Sequence, residues 1–325
     1  MTIFVPPEWA TQKAIWTGWP SHPDLWLDNL EPARRETAAM ILALAKGQPV
    51  KVLVMGENSM AAARAALPHP NVELIPARFG DMWQRDSGLV FARENGKPVA
   101  LHFRVNGWGG KYVLPHDDEV AGFIASRSGT PSRQFDFVLE GGSIEVDDAG
   151  NLLTTRQCLL NPNRNPGMSQ TDMEAKLREA FGVEKILWLD RGLLNDHTDG
   201  HIDNIARFIA KGHVVCQSPS GHDDPNRETL DAIARDLEAM GMEVARIPSP
   251  GLILSEDGEP VPASHVNYII GNKTVVMPVY EAHYSEMAAE ALKALFPGRD
   301  IIALPANHIL TGGGAFHCMT QQEPE

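Results

Sequence analysis

The sequence predicts a closed α/β fold built from about five copies of one small module. Two observations support this fold class: a strand–turn–strand–helix–strand order recurs along the chain, and the helices recur at a nearly constant spacing. The four clearest helices begin near residues 117, 170, 226 and 282, so successive units lie about 53, 56 and 56 residues apart. Units of this length that pack on their neighbours are typical of repeat architectures.

The first unit shows how each element is predicted. Asn95-Gly96, the strongest two-residue hairpin signal, separates strands expected at 88–92 and 99–103. A helix at 117–128 and a strand at 135–139 complete the unit. The next three units have helices and closing strands predicted at 170–181 and 185–189, at 226–240 and 243–247, and at 282–296 and 300–304. Thr171 or Asp172 is expected near the cap of the helix at 170–181.

The fifth unit is expected to be divided between the two ends of the chain. The N-terminal part supplies helices at 32–46 and 59–67 and strands at 50–55 and 72–75, and residues 315–319 supply a C-terminal strand. Residues 321–325 are expected to fray. A ring closed in this way exposes no sheet edge and makes residues 1–325 one domain. The alternative is a doubly wound sheet, against which the hairpins argue, because parallel strands need a crossover connection.

Composition excludes several classes of function. The formal net charge of -14 disfavours nucleic acid and anionic membranes as partners, because both attract basic surfaces. The sequence contains no run of 18 apolar residues and no secretion signal at its start. Three cysteines in 325 residues do not form a disulfide framework, which favours a reducing cytoplasm.

Polar residues recur at the same phase of each unit, just before or inside its first strand. They are Asp86, Glu140, His201 with Asp203, Asn267, and Cys318. A pseudo-symmetric ring brings such residues together at its axis, so the sequence predicts one thiol, one imidazole and three carboxylates in a single site. Trp83 lies beside Asp86, and an aromatic face next to a carboxylate suits a planar cation.

Cys318 is the candidate nucleophile of this site. It follows the run Gly312-Gly313-Gly314, which allows the backbone to approach a ligand closely. On a strand, His317 would point away from Cys318, so His201 is the preferred base, sharing a strand face with Asp203.

Three other interpretations remain open on these residues. Cys318 could be a packed core residue, as a lone buried cysteine often is. His197, His201 and Asp203 could instead ligate the metal ion of a hydrolase. Trp108 could belong only to the core. The glycine clusters match no nucleotide-binding fingerprint, which argues against nucleotides.

Six separated motifs, taken together, resemble the Porphyromonas-type peptidylarginine deiminase family, and within it the agmatine deiminases. They are Trp83-Gln84-Arg85-Asp86, Glu140-Gly141-Gly142, Cys158-Leu159-Leu160-Asn161 with Asn163-Arg164-Asn165-Pro166, His201-Ile202-Asp203-Asn204, Asn267-Tyr268, and the stretch from Gly312 to Gln322. The resemblance runs from Pro7 to Gln322. It implies a five-bladed, pseudo-symmetric α/β propeller of ββαβ modules, the pentein fold.

The resemblance also implies roles for the six recurring polar residues and for Trp83. Cys318 is the expected nucleophile, His201 the general acid and base, and Glu140 the acid that orients His201. Asp86 and Asp203 are expected to bind a guanidinium group, with Trp83 and Asn267 in the pocket. The implied reaction is the hydrolysis of agmatine to N-carbamoylputrescine and ammonia in putrescine formation, without metal or cofactor, by a homodimer or larger oligomer. Free or peptidyl arginine is the alternative substrate.

Overall fold

The computed structural model describes residues 3–280 and 282–325. Its strands, in chain order, are β1 Ile3–Phe4, β2 Gln12–Gly18, β3 Val50–Val54, β4 Val72–Pro76, β5 Val90–Glu94, β6 Lys97–Arg104, β7 Ser132–Val138, β8 Ile144–Val146, β9 Asn151–Thr155, β10 Lys185–Leu189, β11 Ala206–Ala210, β12 His213–Ser218, β13 Glu243–Pro248, β14 Ile269–Ile270, β15 Thr274–Val279, β16 Asp300–Pro305 and β17 Thr320–Pro324.

The helices are α1 Pro23–Trp26, α2 Leu30–Ala45, α3 Glu57–Ala66, α4 Gln84–Ser87, α5 Gly107–Gly110, α6 Asp117–Ser128, α7 Arg156–Leu159, α8 Gln170–Phe181, α9 Arg227–Ala239, α10 Ala282–Leu295 and α11 Asn307–Leu310. Short 3₁₀ turns cover Leu27–Asn29, Gly141–Ser143 and Ile202–Asn204. Within the described ranges, no helix is both long and apolar enough to cross a membrane.

The strands form five separate sheets, each a blade of the predicted ring. In strand order they are blade 1 (β1-β5-β6-β7), blade 2 (β10-β9-β8), blade 3 (β11-β12-β13), blade 4 (β14-β15-β16) and blade 5 (β17-β2-β3-β4). Every blade contains an antiparallel pair followed, after a helix, by a parallel strand. The predicted ββαβ module is therefore confirmed.

Local sequence signals explain the ends of these elements. Asn95 and Gly96 both have positive φ, 50° and 78°, as the tight hairpin between β5 and β6 requires. The prediction that Asp172 lies near the cap of α8 is confirmed: Ser169 is the N-cap, and Asp172 is its partner in a capping box three residues later. Thr171 makes no such bond, because only the Ser169 hydroxyl lies one residue before the helix and reaches the free amides of its first turn.

Blade 5 joins the two ends of the chain. Its first strand is β17, which pairs antiparallel with β2, and Thr320 lies opposite Thr17. The C-terminal strand was predicted five residues too early, because residues 315–319 form turns that lead into β17. The predicted fraying of residues 321–325 is also wrong, since Gln321 and Glu323 are buried in the sheet.

Apolar clusters fill the spaces between consecutive blades. Trp16 of blade 5 packs in one cluster with Phe91 of blade 1. Ile15 of blade 5 packs in another with Ile269 of blade 4. Three further clusters join blade 1 to blade 2, blade 2 to blade 3, and blade 3 to blade 4. Among the described residues, the contacts therefore run around a complete ring.

The ends of blade 5 are held together by a buried carboxylate. Glu323 of β17 binds Lys13 at 2.7 Å, Lys51 at 2.9 Å and the indole N–H of Trp16 at 2.9 Å. Burial alone would raise the pKa of Glu323, but the bonds from Lys13 and Lys51 outweigh burial, and the pKa lies below its ordinary value. Glu323 therefore stabilises the fold when it is ionised.

We predict that Glu323→Gln lowers the free energy of unfolding by about 2 kcal/mol at neutral pH, because it removes hydrogen bonds to charged groups. A carboxyl whose folded-state pKa is lowered stabilises the fold above its unfolded pKa. The difference from wild type should therefore shrink as the pH falls below about 4.5. Urea unfolding at neutral pH and at a pH below the pKa of the unfolded carboxyl measures this difference in stability. The substitution Glu290→Gln, at an exposed residue, is the control. Equal stability of wild type and Glu323→Gln at neutral pH would contradict this role.

Candidate active site

Loops that precede one strand of each blade bring polar residues together beside one cavity. Asp86 precedes β5, Glu140 precedes β8, Asp203 precedes β11, Asn267 precedes β14 and Cys318 precedes β17. The cavity has a volume of about 240 Å³. The common phase of the polar residues, predicted from the sequence, is thus the reason that they converge.

Asp86 and Cys318 lie at the buried end of the cavity, and aromatic side chains form its walls. Trp83 and Trp108 line it together with the three glycines 312–314, and the half-exposed Tyr112 lies at its mouth. Among the described residues, its lining includes no lysine and no arginine. His201, Asp203 and Glu140 lie behind Asp86 and Cys318 and are almost completely buried. The site can therefore surround a small, planar cation.

Asn267 positions Cys318. Its side-chain oxygen accepts a hydrogen bond from the amide of His317 at 3.0 Å, and its Nδ2 lies 3.1 Å from the Cys318 sulfur. Asp203 Oδ2 lies 3.6 Å from the same sulfur. Burial, followed by the charges of Asp203 and Asp86, raises the pKa of the Cys318 thiol well above its usual range. Burial and the two nearby carboxylates therefore favour the neutral thiol.

Two carboxylates, of Asp86 and Asp203, lie near this thiol. Asp86 accepts hydrogen bonds from the indole of Trp108 at 2.8 Å and from the amide of Gly142 at 3.0 Å. Burial raises the pKa of Asp86, and the nearby Asp203 adds to the rise although His201 opposes it. Asp203 Oδ2 accepts a bond from His317, whereas Oδ1 has no hydrogen-bond partner in the described part of the chain. A buried oxygen without a partner is what a ligand site requires.

His201 lies between two acids. Its Nδ1 is 3.7 Å from Asp86, and its Nε2 is 3.7 Å from Glu140. Neither ring nitrogen makes a hydrogen bond of normal length with the described residues. Burial would lower the pKa of His201, but Asp86, Cys158 and Glu140 outweigh it and raise the pKa well above its usual range. His201 is therefore charged at neutral pH and can donate a proton.

Arg164 holds the Glu140 carboxylate beside His201. The completely buried Arg164 side chain donates to Glu140 at 3.0 Å and also binds Asp199. Although burial would raise the pKa of Glu140, contacts with His201 and Arg164 lower it below its ordinary value. Glu140 therefore stays ionised.

Gly142 lies at the point where three site residues meet. A side-chain carbon at this position would lie 2.6 Å from His201 Nδ1, 2.9 Å from Asp86 Oδ1 and 3.0 Å from Asp203 Oδ2. Such approaches are too close for any residue but glycine. Gly314 shows the same constraint beside Trp83 and Cys318.

The structure brings all seven predicted residues together, with two differences in their placement. His201 and Asp203 were predicted on one strand, but His201 precedes the 3₁₀ turn that contains Asp203, and β11 begins only at Ala206. Gly200, with a φ of 84°, bends the chain just before this turn. Asn267 and Asp203 were predicted to bind the substrate, but neither is part of the cavity lining. Asn267 contacts the Cys318 thiol, and Asp203 lies behind the lining, 3.6 Å from the same sulfur.

The histidines do not form the alternative metal site. Within the described ranges, the donor clusters that could hold a metal are Glu140 with Cys158 and His201, and Glu8 with Glu145 and His317. His197 belongs to neither and instead stacks on Tyr112. In both clusters the carboxylates already bind arginine side chains, Arg164 in the first and Arg207 in the second. A metal ion would have to displace these cations.

Sequence reasoning missed several residues that shape the site. Trp108, which the sequence allowed as a core residue, binds Asp86. Arg164 belongs to one of the six motifs, but the sequence alone indicated no role for it. Arg207, Glu8 and His317 form a buried hydrogen-bonded network beneath Cys318. Arg207 had a visible signal, because it is a charged residue inside the otherwise apolar stretch 205–209.

Comparisons with known proteins agree with this geometry. A model of the Porphyromonas-type peptidyl-arginine deiminase family matches residues 4–324. The chain is similar to the agmatine deiminase of Stutzerimonas stutzeri, with 38% identity over 99% of this chain and 95% of the relative. It is also similar to a putative agmatine deiminase of Legionella pneumophila, with 36% identity over 99% of this chain and 96% of the relative.

Solved structures share the architecture. The agmatine deiminase of Enterococcus faecalis superposes with a TM-score of 0.93 and 30% identity, covering 99% of this chain and 96% of that one. A Cys-to-Ser variant of C. jejuni agmatine deiminase with substrate bound gives a TM-score of 0.94 and 29% identity, covering 100% and 97%. DDAH from Pseudomonas aeruginosa, at 14% identity and a TM-score of 0.56, shares the fold alone. The chain belongs to the Porphyromonas-type peptidyl-arginine deiminase family.

Proposed function

We propose that this protein is an agmatine deiminase, which hydrolyses agmatine to N-carbamoylputrescine and ammonia. The observation that carries the proposal is the buried thiol of Cys318 at the end of a cavity, beside the carboxylates of Asp86 and Asp203. The relatives from S. stutzeri and E. faecalis carry the same activity in their names. The whole chain acts as one catalytic domain, because all five blades contribute to the site.

Asp86 and Asp203 bind the guanidinium group. Both are acceptors when ionised, and charge-assisted, bidentate hydrogen bonds suit the planar fork of the cation. Trp83 and Trp108 line the cavity and offer aromatic faces to the same cation. Asp203 Oδ1, which has no hydrogen-bond partner among the described residues, is available for this contact.

Substrate binding activates the thiol. The positive charge of the guanidinium lowers the pKa of Cys318, and the thiol proton leaves to solvent. The thiolate then attacks the central guanidinium carbon. His201, charged before the reaction, gives its proton to the departing nitrogen, and ammonia leaves. An amidino group remains bound to the sulfur of Cys318.

Water completes the reaction. The neutral His201 removes a proton from water, and the hydroxide adds to the amidino carbon. The carbon–sulfur bond breaks, the thiolate returns, and the ureido product leaves after it loses one proton. Glu140 keeps the His201 ring in place and stabilises its charged form.

The cavity favours agmatine over arginine. Arginine carries a carboxylate that needs a cationic partner, but the described lining residues include no lysine or arginine. Agmatine carries a second positive charge instead. Asp81, which accepts indole N–H bonds from Trp26 and Trp83, places a carboxyl group in the cavity wall. We also predict a cytoplasmic location and a dimer or larger oligomer. Light scattering measures the oligomeric state.

We predict that the purified protein releases ammonia and N-carbamoylputrescine from agmatine, and that Cys318→Ala lowers kcat at least about a thousandfold by removing the nucleophile. Chromatography of the product and an ammonia assay measure both. Cys216→Ala is the matched control, because Cys216 is a buried thiol outside the site. EDTA should leave the rate unchanged. Turnover of arginine instead would correct the substrate, and turnover by Cys318→Ala would refute the mechanism.

We predict that Gly142→Ala lowers kcat/KM for agmatine by about a hundredfold or more, because displacing catalytic groups by about 1 Å has effects of that size. The added methyl group would meet His201 and both binding carboxylates. Gly122→Ala in α6 is the matched control, since its nearest neighbour would be 4.0 Å away. Wild-type kinetics in a folded Gly142→Ala protein would show that the three groups do not meet there.

A further inference from the structure

His317 connects the substrate-binding Asp203 to the buried Glu8. Its Nδ1 lies 2.7 Å from Asp203 Oδ2, and its Nε2 lies 2.9 Å from Glu8 Oε2. All three side chains are almost completely inaccessible to solvent. The mechanism above uses Asp203 but neither His317 nor Glu8, so their arrangement needs its own explanation.

Glu8 occupies the centre of the ring below the cavity. It reaches this position from the N-terminal segment between β1 and β2. It lies near one group from each blade: Arg85 before β5, Glu145 of β8, Arg207 of β11, the amide of Ile270 in β14, and His317 before β17. Glu8 is therefore fixed from all sides and can hold His317 in a single orientation.

Hydrogen-bond geometry defines how His317 contacts Asp203. A carboxylate oxygen only accepts, so the Nδ1 that lies 2.7 Å from Asp203 Oδ2 carries a hydrogen and donates it. Burial would raise the pKa of Asp203, but the hydrogen bond and charge of His317 outweigh burial and lower it. Asp203 is thus kept ionised with Oδ2 occupied and Oδ1 free.

We propose that His317, held by Glu8, is a positioning residue that orients Asp203 so that its free oxygen binds the guanidinium group of the substrate. His317 does not contact the reacting atoms in this assignment. It acts on substrate binding through Asp203. The inference rests on the proposed function, because it assigns Asp203 to guanidinium binding.

Two substitutions separate the two hydrogen bonds of the ring. In His317→Asn, the amide nitrogen lies near the position of Nδ1 and can still donate to Asp203, but it cannot reach Glu8. In His317→Gln, the amide nitrogen lies near the position of Nε2 and can reach Glu8, but it cannot donate to Asp203. The two variant side chains have similar volumes and no charge. Comparing them therefore tests which hydrogen bond of the ring, to Asp203 or to Glu8, affects substrate binding.

The experiment measures KM and kcat for agmatine in wild type and both variants, together with thermal unfolding. His317→Gln should raise KM about tenfold or more, the effect of losing a hydrogen bond to a charged group, with a smaller change in kcat. His317→Asn should stay within about threefold of the wild-type KM. If the role of His317 were purely structural, the rise in KM would parallel the loss of thermal stability in both variants. Equal KM values in the two variants would overturn the proposal.

A second measurement does not depend on catalysis. In wild-type protein labelled with ¹⁵N-histidine, the His317 Nδ1 should carry a hydrogen, with the signal assigned by its loss in whichever variant folds. An Nδ1 without a hydrogen would overturn the proposal, because it could not donate to Asp203. If wild-type protein fails to turn over agmatine while Nδ1 carries the hydrogen, the substrate assignment fails and the positioning network stands.

Discussion

Burying acidic side chains inside a protein is unfavourable unless each is paired, and this constraint organises the centre of the ring. Five carboxylates are buried there, from Glu8, Asp86, Glu140, Glu145 and Asp203. Arginine side chains bind only some of them: Arg164 binds Glu140, and Arg207 binds Glu8 and Glu145. In the described part of the chain, Asp86 and Asp203 have no arginine partner. These two are the carboxylates with which a cationic substrate would pair.

The same imbalance bears on the Cys318 thiol. Two carboxylates without an arginine partner lie beside the buried sulfur and favour the neutral thiol over the thiolate. In the mechanism proposed above, a guanidinium group placed between them reverses this preference, so activation of the thiol is coupled to recognition of the substrate charge. A neutral molecule of the same shape would then leave the thiol protonated.

Much of this site could be predicted from sequence because of the repeat. The spacing of helices near 117, 170, 226 and 282 defines the phase of each unit, and that phase selects Asp86, Glu140, Asn267 and Cys318. Pseudo-symmetry then places residues that are distant in sequence at one axis. The hairpin at Asn95-Gly96 and the extent of α8 follow from local signals alone.

The rest depends on contacts that no local pattern contains. Glu8 and His317 are 309 residues apart and meet only when blade 5 closes the ring. The strand at 315–319 was misplaced because the amides of His317 and Cys318 bond to the Asn267 side chain instead of a neighbouring strand. Pairing among buried charges, such as Arg207 with Glu145, likewise follows from the three-dimensional arrangement.

The covalent intermediate is the most direct test of the account. Wild-type protein is mixed with agmatine, quenched in acid within milliseconds, digested and analysed by mass spectrometry. The peptide containing Cys318 should gain the mass of agmatine minus ammonia, and the peptides containing Cys158 and Cys216 should not change. Rapid product formation with no adduct on Cys318 at any quench time, or an adduct on another residue, would contradict the account.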